Sequence, residues 1–79
     1  MNKLEKALAK LRQDEQAVAI ELVQKIISNN LKNLDIKKLK GYEDTYRLRK
    51  GQIRIIFCRI GGKPIIMNIG RRNEATYSR

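Results

Sequence analysis

The chain has 79 residues, with eighteen Lys and Arg against eight Asp and Glu, a formal charge of +10, one cysteine and no histidine. This length makes one small domain, 1–79, with a limited core, and a single cysteine excludes an internal disulfide framework and fits a reducing compartment. Lack of histidine removes the commonest general base and metal ligand. The acids do not cluster at ligand spacing, so no metal and no cofactor is expected, and a metal-dependent nuclease or histidine-based ribonuclease is disfavoured.

Leu4, Ala7, Leu8 and Leu11 recur at helical spacing and predict a helix over about 2–12. Asp14 is a plausible N-cap for a second helix. Ala19, Leu22, Val23, Ile26 and Ile27 form its apolar stripe, and Asn29-Asn30 is its stop. The short link makes an antiparallel helical hairpin, most simply a packing platform. Residues 31–44 read as a connecting loop anchored by Leu31, Leu34, Ile36 and Leu39, with Lys37, Lys38 and Lys40 adding charge.

Three strands are expected next, over about 45–50, 52–60 and 63–69. Gly61-Gly62 is a strong two-residue hairpin signal and Lys50-Gly51 a weaker one. Pro64 lacks an N–H and suits an edge or a turn-flanking position. The expected fold class is α+β, a helical hairpin packed on a small antiparallel β-meander.

Strand alternation assigns faces. Tyr46, Leu48, Ile53, Ile55, Phe57 and Ile66 share the face that suits the helices. The other face carries Arg47, Arg49 and Arg54 at one end and Ile56, Cys58, Ile65, Met67 and Ile69 at the other. With a Lys50-Gly51 turn, Arg47 faces Arg54. Like charges placed directly opposite destabilise a sheet, so a face that gathers arginines points to an anionic ligand. Cys58 reads as a small buried hydrophobe.

The charge is unevenly spread. Residues 1–30 carry five basic and four acidic side chains, and residues 31–79 carry thirteen and four. The partner of the second half is expected to be a polyanion, nucleic acid first. No helix carries the charge on a polar face as a membrane-surface helix would. No apolar run approaches the roughly 20 residues of a membrane span, so no membrane association and a cytoplasmic location are expected.

The runs Lys38-Leu39-Lys40-Gly41, Tyr46-Arg47-Leu48-Arg49, Ile53-Arg54-Ile55-Ile56-Phe57 and Ile69-Gly70-Arg71-Arg72, followed by Tyr77, resemble the RelE/ParE superfamily of type II toxins. The resemblance covers about residues 14–79 and rests on the ensemble rather than on any one motif. It implies a ribosome-dependent endoribonuclease that cuts messenger RNA without a metal, the ribose 2′-hydroxyl attacking the adjacent phosphate. By the same resemblance Arg47, Arg49, Arg54, Arg72 and Tyr77 are the catalytic set. Lys37, Lys38, Lys40, Lys50 and Arg71 extend the RNA-binding surface. The implied partners are the ribosome with its message and a cognate acidic antitoxin. The family usually opens with a β-strand for which this chain has no residues before its first helix, and Tyr77 follows Arg72 one residue sooner than usual. The sheet edge left unpaired is open to an antitoxin segment or, as a homodimer, a second copy.

Other readings stand beside this one. The strand arginines can be generic surface charge, Arg71 and Arg72 a solvated tail, and Tyr77 a terminal aromatic on the core; Arg59 and Lys63 read as solvated. A ParE-like inhibitor of DNA gyrase, and a non-catalytic RNA- or antitoxin-binding remnant, are the alternatives for the whole chain.

Overall fold

The computed structural model describes residues 3–71. Two helices, α1 (Lys3–Ala9) and α2 (Gln13–Ile27), precede four strands: β1 (Asp35–Lys38), β2 (Thr45–Lys50), β3 (Ile53–Ile60) and β4 (Lys63–Arg71). The strands form one antiparallel sheet in the order β1-β2-β3-β4. The α+β meander with a helical layer is as expected, but the sheet has four strands, because part of the segment read as a loop forms β1.

Both helices lie on one side of the sheet, α1 over β4 and α2 over β3 and β4. Ala19, Leu22 and Ile26 recur at intervals of three and four and are fully buried. They meet Leu48, Ile53, Ile55, Phe57 and Ile69 of the sheet, with Leu11 closing the inter-helix link. Each large aliphatic or aromatic side chain buried this way contributes about 1.5–3 kcal/mol. Tyr46 stacks on Phe57 with ring centroids 5.5 Å apart.

The N-cap of α2 lies two residues before the expected Asp14. Arg12 holds the cap position in extended backbone, and its N–H donates to Glu15 Oε1 at 2.8 Å, the half of a capping box that an acid at N3 supplies. At the other end Asn29 is left-handed (φ 59). Asn29 N–H donates to Ile26 O and Asn30 N–H to Lys25 O. This double bond pattern ends the helix at the expected asparagines.

Two turns set the register. Gly61 and Gly62 both have positive φ, and Ile60 pairs with Lys63, as the Gly-Gly signal predicts. The β2–β3 turn is Gly51-Gln52 rather than Lys50-Gly51, since Lys50 pairs with Ile53. Gly51 alone takes the positive φ there, the pattern of a turn with glycine at its first central position. The one-residue correction places Arg49, not Arg47, opposite Arg54, and Arg47 opposite Ile56.

A bulge in β4 corrects one further placement. Phe57 pairs with Ile66 but Ile56 pairs with Asn68, leaving Met67 as the extra residue. One extra residue reverses the alternation beyond it. Ile69 therefore pairs with Ile55 and joins the core instead of the outer face. Arg59 is not merely solvated: its Nη2 donates to Asn29 Oδ1 at 2.9 Å and ties β3 to the end of α2.

Candidate nucleic-acid interface

The sheet's outer face, away from the helices, is built from rows of paired residues. One row reads Asp35, Arg49, Arg54, Gly70 across β1 to β4. The next reads Lys37, Arg47, Ile56, Asn68, and the third Thr45, Cys58, Ile65. Directly opposed residues have Cβ atoms about 4.5–5.5 Å apart. Lys37, Arg47, Arg49 and Arg54 thus occupy adjoining positions of two rows, and Gly70 adds no side chain beside Arg54.

The cluster is partly desolvated. The Arg47 side chain is only 11% exposed and that of Arg49 39%. Arg47 Nη2 lies 3.8 Å from Asp35 Oδ1, and Arg49 Nε lies 3.6 Å from Asp35 Oδ2. Both separations are ion-pair distances, longer than a hydrogen bond. Arg47 Nη1 and Arg49 Nε are buried without a hydrogen-bond partner. A buried donor left so costs about 1–3 kcal/mol. An anion with several oxygens satisfies such nitrogens, and planar guanidinium forks are suited to it.

The expected site residues divide by face. Arg47, Arg49, Arg54 and Lys37 come together on the outer face. Lys38 stands opposite Tyr46, on the side that faces the helices. Lys40 lies in the loop after β1. Lys50 stands opposite Ile53 and lines a 480 Å³ pocket with Arg12, Asp14, Glu15 and Val18 of the α2 start. Arg71 also stands opposite Ile53, where its Nη2 and Nε donate to Glu15 Oε1 and Oε2 at 3.0 and 3.2 Å. That bidentate bond, joined by the Arg12 N–H, holds the Glu15 carboxyl below the ordinary carboxylate range. Arg72 and Tyr77 lie outside the described residues.

Two residues of consequence were missed in the sequence. Among the described residues Asp35 is the sole acid on a strand, and only the brief alternation Leu34-Asp35-Ile36-Lys37 marked it as a strand residue. Glu15 is the N3 acid of α2, a signal that becomes visible once the helix start is placed at Arg12.

The other end of the outer face is apolar. Ile65 and Met67 are 44% and 46% exposed, Cys58 is half-buried and Ile56 is buried. Among the described residues no group of acids, cysteine or histidine could hold a metal ion, and no helix is long and apolar enough to cross a membrane.

No protein-family model and no curated protein matches the chain. Among solved structures it is similar to a chain of the RelB–RelE antitoxin–toxin complex from Methanococcus jannaschii, with a TM-score of 0.70 and 30% identity over 90% of this chain and 87% of that one. Fold, identity and near-complete coverage of both chains agree, and the protein belongs to the toxin–antitoxin family that the RelB–RelE complex represents.

Proposed function

We propose that the chain is the toxin of its pair, a RelE-like endoribonuclease acting on ribosome-bound messenger RNA. The observation that carries this reading is the placement of Arg47, Arg49 and Arg54 in adjoining rows of the outer face, with Arg47 Nη1 and Arg49 Nε buried and without a hydrogen-bond partner. In the reaction the 2′-oxygen forms a bond to the adjacent phosphorus and the bond to the 5′-oxygen breaks, leaving a cyclic phosphate. The 2′-hydroxyl loses a proton and the 5′-oxygen gains one. Charge accumulates on the non-bridging oxygens, and fixed guanidinium donors aimed at them contribute about a hundred- to a thousandfold each. Arginine stays protonated near neutrality, so these three side chains bind and stabilise rather than move protons. Tyr77 and Arg72 complete the set by resemblance. The partner is an acidic antitoxin that covers the cationic face, as charge complementarity favours.

Cleavage of ribosome-bound message by the purified protein, mapped by primer extension, tests this. Arg54→Ala and Arg47→Ala should each slow cleavage by about a hundredfold or more and relieve growth arrest. Variants that cut and arrest as the parent does refute the assignment. Inhibition of gyrase supercoiling with the message left intact would put a gyrase inhibitor in its place.

A further inference from the structure

We infer that Asp35 is a built-in stand-in for the substrate phosphate: its carboxylate spans Arg47 and Arg49, and the incoming anion must displace it. This rests on the reading of the outer face as a phosphate-binding surface.

The geometry is that of a surrogate. One carboxylate oxygen faces each arginine, Oδ1 toward Arg47 Nη2 and Oδ2 toward Arg49 Nε, as two oxygens of a phosphodiester would. At 3.8 and 3.6 Å the contacts are electrostatic only. The hydrogen-bonding capacity of Arg47 Nη1 and Arg49 Nε stays unused, so a phosphate that approaches closer gains bonds that Asp35 does not make. The Asp35 side chain is 58% exposed and sits on the four-residue edge strand β1, from which it can turn to solvent without disturbing the core. Asp35 has a second effect. It compensates two guanidinium groups that the fold holds side by side, which otherwise repel. The residue thus stabilises the free protein and weakens its grip on anions.

These opposed effects separate the inference from a plain structural role. Asp35→Asn should bind anions more tightly while lowering the thermal midpoint; a residue that only orders the strand would lower both. Glu21→Gln makes the same charge change on α2, where Glu21 pairs with Lys25, and serves as the control. Two probes are titrated into parent and variants: inorganic pyrophosphate, and a 2′-O-methyl RNA oligomer that has no free 2′-hydroxyl and cannot be cut. Ion pairs with an exposed partner contribute a small factor each, so releasing two should tighten binding about two- to thirtyfold, against less than about twofold for Glu21→Gln. If pyrophosphate binds more tightly to Asp35→Asn while neither protein retains the RNA, Asp35 keeps this role and the RNA reading falls. If the parent retains the RNA and Asp35→Asn binds both probes no better than Glu21→Gln, the inference about Asp35 is overturned and the RNA reading stands. If neither probe binds parent or variant, both are overturned.

Discussion

Arg47 carries the conflict between stability and function most clearly. Its side chain is almost entirely buried, one of its nitrogens has no partner, and its counter-ion is only at ion-pair distance. A buried guanidinium carries a desolvation cost that a counter-ion at this distance repays only in part, and its partner Asp35 is exposed enough to be left without it. Arg47→Met should therefore raise stability by about 1 kcal/mol, roughly 4–8 °C in thermal midpoint for a domain of this size, while slowing the proposed cleavage by about a hundredfold or more. A fall in the midpoint would mean that the Asp35 ion pair outweighs the desolvation of the guanidinium. Glu15 presents the opposite case. Its carboxyl titrates below the ordinary range because Arg71, and then the Arg12 N–H, bond the charged form. A depressed folded-state pKa adds stability that is present above the unfolded value and is lost as pH falls through the folded one. The midpoint of the parent should drop more steeply than that of Glu15→Gln between about pH 6 and about pH 3. Parallel curves would show that the bond to Arg71 adds nothing to the fold.

At the scale of elements, the β2–β3 hairpin decides which arginines meet. Gly51 has φ 59, and a Cβ added there would meet no atom within 4 Å, so any penalty for a side chain comes from the backbone alone. Gly51→Ala should cost about 1–2 kcal/mol in urea unfolding, and an unchanged midpoint would show that the turn relaxes to another form. This turn also marks the limit of what the sequence discloses. Gly61-Gly62 puts glycine at both positions that need positive φ, and the pair identified the turn unaided. Lys50-Gly51-Gln52 has one glycine, which fits either central position, and the choice moves every cross-strand partner by two. The β4 bulge leaves no mark in Ile65-Ile66-Met67-Asn68, because any of these residues can be the extra one; packing of Ile69 against the helices decides it. Strand β1 was hidden for another reason. Asp and Lys are poor strand formers, and Asp35–Lys38 is a strand because β2 presents a ladder to it. By contrast, the α2 stripe through Ala19, Leu22, Val23 and Ile26 follows from periodicity alone, although Ile27, read as its last member, is 62% exposed. So do its Asn29 stop and the gathering of Arg47, Arg49 and Arg54 on one face, since an even register keeps arginines of alternate positions together whichever residue starts the turn.

For the molecule as a whole, the separation of charge by layer is what a binding experiment can read. The helical third is nearly neutral, and the remainder holds thirteen basic against four acidic side chains. Yet not every cation of the sheet faces outward: Arg71 is bonded to Glu15, Arg59 to Asn29, and Lys38 and Lys50 stand on the side of the helices. On the proposed reading, the surface offered to an RNA backbone is then Lys37, Arg47, Arg49 and Arg54, opposed by Asp35. Each phosphate neutralised on a single strand steepens the fall of log affinity with log salt by about 0.7. Four cations less one internal counter-ion give a slope of about −2 to −3 for the uncleavable oligomer, shallower than the formal +10 suggests. Arg49→Ala and Arg54→Ala should each reduce that slope by about 0.7. Removing Lys6 and Lys10, which lie in and just beyond α1 on the opposite layer, should leave it unchanged. A slope that tracks total charge, with the α1 lysines counting as much as the strand arginines, would mean that the protein binds RNA as a diffuse cation and that the outer face has no privileged role.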